Sequence, residues 1–128
     1  MQKIVLVVDD DRYVRAYVKA ALEREDFRTL EAEDGELGLK LVRKIGSDID
    51  LVISDIKMPK LDGIQLATSV RAEFPKIPII LISGYVDVAL ENQPGVEFIA
   101  KPFLPSTLLN IVSKMVAMAK TATPDSMS

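Results

Sequence analysis

Short apolar runs alternate regularly along this chain with longer segments of helical periodicity, and this pattern limits the folds that it can adopt. The apolar runs are about five residues long, the usual length of a buried strand. The segments between them carry apolar side chains three or four residues apart, as one face of a helix does. This alternation is typical of an α/β protein in which helices cover both faces of a parallel sheet. We therefore predict a doubly wound, five-stranded parallel sheet.

The predicted strands follow the apolar runs. They are Lys3–Val8, Arg28–Glu31, Leu51–Ser54, Ile79–Ile82 and Val96–Ala100. A chain of 128 residues is in the size range of one compact domain with one main core. We find no internal repeat and no second domain.

Apolar stripes predict four of the intervening helices. The stripes are Val14, Val18, Ala21 and Leu22 in the first helix; Leu37, Leu41 and Ile45 in the second; Leu66, Val70 and Phe74 in the third, which starts near Asp62-Gly63 and stops before Pro75; and Leu108, Leu109, Val112, Met115 and Val116 in the fifth, with Pro105 close to its first turn. A fourth helix has only the segment from Tyr85 to Pro94, which leaves room for two turns at most.

Composition excludes several classes of function. The chain has 19 acidic and 16 basic residues, a net charge of -3, and so lacks the basic character of a duplex-binding protein. The apolar run Ile4–Val8 is too short for a signal peptide or a membrane span. The absence of cysteine excludes disulfides and thiolate sites and suits a cytoplasmic location. The absence of histidine excludes imidazole chemistry, so any phosphohistidine donor must be another protein.

Polar side chains follow four of the predicted strands, at the edge of the sheet where open α/β folds form their sites. They are Asp9, Asp10 and Asp11 after strand one, Asp55 after strand three, Ser83 after strand four, and Lys101 with Pro102 after strand five. Carboxylates gathered at one edge repel one another unless a hard cation lies between them, and Mg²⁺ suits such oxygen ligands best. The alternative is that Asp11 caps the first helix and the other acids are solvated.

Asp55 is the candidate nucleophile among these residues. It stands alone at the end of a central buried strand, with the acids of strand one on one side and Lys101 on the other. A carboxylate can attack phosphorus when a metal ion and a cation screen its charge. Phosphoryl transfer needs mainly in-line positioning and charge neutralisation, which a metal, an ammonium and a hydroxyl together supply.

The chain resembles the receiver domains of two-component response regulators (CheY-like proteins) over nearly its whole length. The motifs that carry the resemblance are Val8-Asp9-Asp10; Asp55-Ile56-Lys57-Met58-Pro59 with Asp62-Gly63; Ser83-Gly84; and Lys101-Pro102-Phe103. Each motif alone is weakly specific, but the four in this order and at these separations are highly specific. The resemblance implies a flavodoxin-like fold with strand order 2-1-3-4-5.

The resemblance also implies a role for each matching residue. Asp55 would be the phosphoacceptor, in a phosphorelay that starts from a histidine kinase or a histidine phosphotransfer protein. Mg²⁺ or Mn²⁺ would be bound by Asp10 directly, by Asp9 through water or by shaping the site, by Asp55, and by the backbone carbonyl of Lys57. Ser83 would hydrogen-bond the phosphoryl group and Lys101 would pair with it. Gly84 and Pro102 would be structural, with Pro102 after a cis bond.

Three further positions have expected roles in switching and in phosphoryl lifetime. Phe98, three residues before Lys101, matches the aromatic residue that couples to the switch hydroxyl; the alternative is that Phe98 is simply a core residue. Lys57 and Tyr85 lie at the positions that flank the path of attacking water. Both are bulky and neither is an acid or amide that would position water, so the resemblance implies a long-lived phosphoryl group.

The same resemblance sets expectations for organisation and partners. Residues 1–120 would form the receiver domain and 121–128 a flexible tail too short for an output domain, so the chain would act on a downstream protein target. It would be a signalling domain that assists its own phosphorylation and dephosphorylation. It would be a monomer or weak dimer, without direct nucleic-acid binding or membrane insertion. The short segment between Ser83 and Lys101 resembles the receivers of hybrid kinases.

Two other functions fit parts of the sequence. The Asp9-Asp10-Asp11 run contains the Asp-x-Asp of haloacid-dehalogenase-type phosphatases, in which Asp9 would be the nucleophile. However, Arg12-Tyr13 replaces the expected Gly-Thr, no acidic pair follows Lys101, and there is no cap insertion. The other alternative is a degenerate receiver that binds partners without phosphorylation.

Overall fold

The computed structural model describes residues 2–84 and 94–121. The strands are β1 (Ile4–Val8), β2 (Arg28–Ala32), β3 (Leu51–Asp55), β4 (Ile79–Ser83) and β5 (Val96–Ala100). The α-helices of the described ranges are α1 (Arg12–Arg24), α2 (Gly35–Ile45), α3 (Gly63–Glu73) and α4 (Pro105–Thr121). A short 3₁₀ turn, Gly46–Asp48, follows α2.

All five strands pair in parallel, in the order β2-β1-β3-β4-β5. This confirms the predicted fold and strand order. Each predicted strand agrees with the observed one to within a residue at either end. The central strand β3 is buried at every position, as expected for a strand covered on both faces.

Side-chain alternation along the strands divides the core into two layers. Val5, Val7 and Ile53 point to the face covered by α1 and α4. Leu6 and Val52 point to the opposite face, which α2 and α3 cover. Successive strand residues alternate between the two faces. The face of a residue just beyond a strand therefore follows from that of the core residue two positions earlier.

The predicted stripe of α2 was wrong at Leu37. This side chain is 42% exposed, and the buried residues of the helix are Gly35, Gly38 and Val42. A Cβ atom on Gly38 would lie 3.0 Å from Cγ2 of Val8, so α2 approaches the sheet closely at this glycine. Leu37 therefore lies at the margin of the packed face rather than at its centre.

The ends of α3 follow from local hydrogen bonding. Asp62 and Gln65 form a capping box, in which each side chain accepts a hydrogen bond from the backbone N–H of the other. The helix ends at Glu73, one residue earlier than predicted, and Phe74 is its C-cap residue ahead of Pro75.

The fifth predicted helix is α4, and its stripe is confirmed. Leu108, Val112 and Met115 are buried, and Leu109 and Val116 pack against them. The helix runs to Thr121, one residue into the predicted tail. The fourth predicted helix lies almost entirely outside the described residues, as does the rest of the tail. Among the described helices, none is long and apolar enough to cross a membrane.

Candidate functional site

The register of the sheet brings Asp9 and Asp55 side by side. Val7 pairs with Ile53 and Val8 with Ser54 in neighbouring parallel strands, so one further step pairs Asp9 with Asp55. Both acids continue the alternation that points Val7 and Ile53 toward α1 and α4. The two carboxylates therefore meet at the carboxyl edge of the sheet, on the same face.

Asp10 completes a cluster of three acids with this pair. One carboxylate oxygen from each of Asp9, Asp10 and Asp55 lies within 4.8 Å of the others. Asp9 and Asp55 are buried and Asp10 is exposed. The next residue, Asp11, is the N-cap of α1, and its carboxylate accepts from the backbone N–H of Tyr13 at 2.8 Å. One of the four acids thus has the predicted capping role and three form the cluster.

Asp9 is the most perturbed acid of the cluster. Its Oδ1 accepts a hydrogen bond from the backbone N–H of Asp11 at 2.9 Å, and its Oδ2 is buried with no hydrogen-bond partner among the described residues. Burial raises the pKa of Asp9 from 3.8 to about 6, against the lowering effect of the Asp11 N–H; the nearby charge of Asp55 also raises it. A buried carboxylate oxygen without a donor is suited to a cation.

Lys101 places a positive charge on the other side of Asp55. Its Nζ lies 3.2 Å from Oδ1 of Asp55. Lys101 follows Ile99 on the same face of β5, which explains why the side chain reaches this side of the sheet. Its backbone N–H donates to the carbonyl of Ser83 at 2.8 Å, and the peptide bond to Pro102 is cis, as predicted.

Ser83 and Phe98 share the opposite face of the sheet. Phe98 packs with Leu81 in the layer beneath α2 and α3 and pairs with it across β4 and β5. Ser83, two residues after Leu81, follows the same alternation and pairs with Ala100. The partly buried Phe98 is thus a diagonal neighbour of Ser83. Asp55 pairs with Ile82, which puts Ser83 one step beyond the acceptor on the adjacent strand.

The other predicted site residues lie at the edge of this cluster or outside the described ranges. Lys57 is exposed and lies two residues beyond Asp55. A Cβ atom on Gly84 would meet no described atom within 4 Å, so contacts within the described part of the chain do not require glycine there. Tyr85 lies outside the described residues.

A set of glycine contacts that shape the site was not predicted from the sequence. Helices α2 and α3 both begin with an Asp-Gly pair, Asp34-Gly35 and Asp62-Gly63, in which Asp is the N-cap. A Cβ atom on Gly35 would lie 2.0 Å from the carbonyl oxygen of Leu61, and one on Gly63 would lie 2.2 Å from that of Asp55. The repeated Asp-Gly before an apolar stripe was the available signal.

The donor set fits a hard divalent cation. The candidate side-chain ligands found among the described residues are carboxylate oxygens, and one buried oxygen of Asp9 has no donor in that part of the chain. The sequence contains no histidine or cysteine. Mg²⁺ and Mn²⁺ prefer such oxygen ligands and tolerate a site that is open on one side to water.

Comparisons with known proteins agree with this geometry. The response regulator GtcR of Aneurinibacillus migulanus is 37% identical over 126 residues, which is 95% of this chain and 50% of that protein. A response regulator receiver domain protein from Clostridium thermocellum has a crystal structure with a TM-score of 0.87 at 27% identity, covering 93% of this chain and 98% of that one. The receiver domain of the hybrid histidine kinase CckA has a TM-score of 0.77 at 34% identity, covering 88% and 98%.

The chain spans about half or less of the length of curated relatives that it matches, GtcR among them. The family model for the response regulator receiver domain matches residues 5–113, nearly all of the sheet and its helices. This chain therefore belongs to the response regulator receiver domain family of two-component signalling systems.

Proposed function

We propose that Asp55 accepts a phosphoryl group from the phosphohistidine of a histidine kinase or a histidine phosphotransfer protein. One observation carries the proposal. Asp55 has the carboxylates of Asp9 and Asp10 on one side, with which it could hold a divalent cation, and the ammonium group of Lys101 at 3.2 Å on the other. Phosphoryl transfer requires charge neutralisation on both sides of the acceptor, and this arrangement supplies it.

In the proposed reaction, an oxygen of the Asp55 carboxylate attacks phosphorus in line with the phosphorus–nitrogen bond of the donor. That bond breaks, its electron pair returns to the imidazole nitrogen, and an acyl phosphate remains on Asp55. Lys101 pairs with the negative charge of the phosphoryl oxygens. Asp9, Asp10, Asp55 and the backbone carbonyl of Lys57 would hold Mg²⁺ or Mn²⁺, which supplies further positive charge when bound.

The proposed output is a change in partner binding through Ser83 and Phe98. The Ser83 hydroxyl would donate to a phosphoryl oxygen, which draws the end of β4 toward Asp55. Phe98 is a diagonal neighbour of Ser83 on the same face and is only partly buried, so it has room to repack. Because phenylalanine has no hydroxyl, any such switch acts through packing alone.

Exposed apolar side chains that lie close in sequence to the cluster residues support a docking surface for the phosphohistidine donor. Tyr13, at the start of α1, is 74% exposed, and Leu104, shortly after Lys101, is 67% exposed. Tyr17 donates to the carbonyl oxygen of Phe103 at 2.8 Å, which ties α1 to the segment after β5. Large exposed apolar side chains around a buried reactive group are typical of a protein-docking surface. We assign this surface to the phosphohistidine donor.

The test is incubation of the chain with acetyl phosphate and Mg²⁺, followed by intact mass spectrometry. The wild type should gain one phosphoryl group and Asp55→Asn should gain none. Asp48→Asn is a control with the same charge change, because Asp48 is exposed in the 3₁₀ turn after α2, away from the strand ends that carry the cluster. Phosphate release that persists in Asp55→Asn and requires Asp9 would instead support the phosphatase alternative.

A further inference from the structure

The segment 56–62 between β3 and α3, here called the acceptor loop, is held by backbone contacts at its base and near its C-terminal end. The N–H of Gly63, just after the loop, donates to the carbonyl of Ile56, its first residue, at 2.8 Å and so closes the base; Gly63 also packs against Asp55. Near the C-terminal end of the loop, the carbonyl of Leu61 packs against Gly35, the first residue of α2. The loop contains Lys57, whose carbonyl is a proposed metal ligand.

Lys60 gives the loop a side-chain attachment to α2. Its Nζ lies 3.6 Å from Oδ2 of Asp34, while Oδ1 of the same carboxylate accepts from the N–H of Leu37 at 2.8 Å. The Asp34 residue is 5% exposed, so its position is fixed by packing and by the cap. Lys60 also has a φ of 71°, a conformation that non-glycine residues rarely adopt without a compensating interaction.

We propose that Asp34 and Lys60 form a clasp that positions the acceptor loop, and with it the Lys57 carbonyl, for the divalent cation. This inference rests on the metal site of the proposed function. A loop that is ordered beforehand loses less conformational entropy when a ligand binds, so the clasp favours metal binding without contacting the ion. Both are positioning residues.

Through-space electrostatics makes a different prediction, which allows a sharp test. If Lys60 acted only by its charge, Lys60→Met would remove a nearby positive charge and tighten cation binding. The clasp predicts weaker binding, because the loop loses its attachment. Since the ammonium of Lys60 is largely exposed, the expected rise in the Mg²⁺ Kd is roughly two- to fivefold.

The experiment is a double-mutant cycle on Mg²⁺ affinity, measured by calorimetry on the full chain at about 0.15 M salt. Asp34→Asn keeps an oxygen for the α2 cap but lacks the charge that holds Lys60. Lys60→Met, Asp34→Asn and the double variant should all weaken Mg²⁺ binding to a similar degree, and Lys60→Arg, which keeps the positive charge, should retain the wild-type affinity. Tighter binding in Lys60→Met, or additive effects in the double variant, would overturn the clasp.

A matched control and a metal-free measurement complete the design. Arg43→Met and Glu73→Gln break an exposed ion pair of α2 and α3 with the same charge changes, and should leave Mg²⁺ affinity unchanged. Without metal, amide exchange of Leu61 and Gly63 should speed up in Lys60→Met; unchanged exchange would refute the clasp. If the wild type bound no Mg²⁺, the metal site would fail, while amide exchange would still decide whether the clasp orders the loop.

Discussion

A Cβ atom on Gly63 would lie 2.2 Å from the backbone oxygen of Asp55, so the first residue of α3 packs directly against the end of β3. Gly63→Ala must push the helix away from the strand or shift the acceptor. We expect a loss of about 1–3 kcal/mol in the free energy of unfolding, the usual cost of overpacking. Urea denaturation measures it, and Gly84→Ala, with no described atom near its Cβ position, is the stability control.

Asp9 makes the stability of the metal-free protein depend on pH. Its pKa is about 6 in the fold and 3.8 as the reference value, so the folded chain holds the proton more tightly than the unfolded chain. The resulting stabilisation is fully present below pH 3.8 and is lost as pH rises through about 6. For this residue alone, the metal-free protein is therefore less stable at pH 7 than at pH 5.

Asp9→Asn should remove this dependence. Because the amide carries no charge to bury, although it does bury an N–H donor, we expect the metal-free variant to be more stable than wild type at pH 7 by about 1–2 kcal/mol. Stabilisation by Mg²⁺ should be lost at the same time. Thermal unfolding from pH 4 to pH 8, with and without Mg²⁺, measures both effects. A variant as unstable as wild type at pH 7 would contradict the burial argument. Asp10→Asn is the comparison, since Asp10 is exposed.

Lys101 should have opposite effects on metal binding and on phosphorylation. Lys101→Met removes the ammonium 3.2 Å from Asp55 and leaves three carboxylates together. Mg²⁺ should then bind more tightly, because the ammonium group of Lys101 no longer competes with it for Asp55. Phosphorylation of Asp55 by acetyl phosphate should slow at least tenfold, because the phosphoryl charge loses its partner. Calorimetry and mass spectrometry measure the two effects separately. If both fell together, general unfolding of the site would be the better explanation, and Lys101→Arg should distinguish the two.

Much of the site was predictable because it follows from strand periodicity. Asp9, Asp55 and Lys101 are each the first or second polar residue after an apolar run, and parallel strands end at the same edge. Alternation then decides the face, which is why Lys101 meets Asp55 while Ser83 and Phe98 lie on the other side. No feature of this prediction required knowledge of how helices pack.

The parts that were not predictable depend on close approach between elements distant in sequence. Leu37 satisfied the helical spacing, yet α2 packs on the sheet through Gly38, a residue that hydrophobic periodicity ignores. The contact between Lys60 and Asp34 joins two loops 26 residues apart and depends on an unusual φ at Lys60. A single sequence carries no signal for either until the helices are placed.

Arg71, near the end of α3, forms hydrogen bonds to the segment that precedes β4 and to the residues just before β5. Its guanidinium donates to the carbonyls of Pro75, Ile77 and Pro94, and a Cβ atom on Gly95, which has a φ of 82°, would lie 2.7 Å from its Cζ. Lysine cannot reproduce this fork of donors. We expect Arg71→Lys to cost about 1–3 kcal/mol of unfolding free energy, as lost hydrogen bonds to a charged group do. Equal stability of variant and wild type in urea would contradict this, because it would show that the three hydrogen bonds together contribute little to stability. Lys76→Arg is an exposed control.

The lifetime of the phosphoryl group depends on access of water to phosphorus, and Lys57 and Tyr85 are the residues expected to limit it. Lys57 is exposed, and neither side chain is an acid or amide that would hold a water molecule in line for attack. Replacing both, as Lys57→Asn with Tyr85→Glu, opens the path and supplies a polar group that orients water. We expect phosphoryl loss at least about ten times faster than in wild type, which is less than the roughly hundredfold or larger effect of a well-positioned general base. The measurement is the decay of phosphorylated protein by mass spectrometry after the phosphodonor is removed, with Lys114→Asn as a control on an exposed part of α4. An unchanged decay rate would mean that water reaches Asp55 by another route, and that neither side chain sets the duration of the signal.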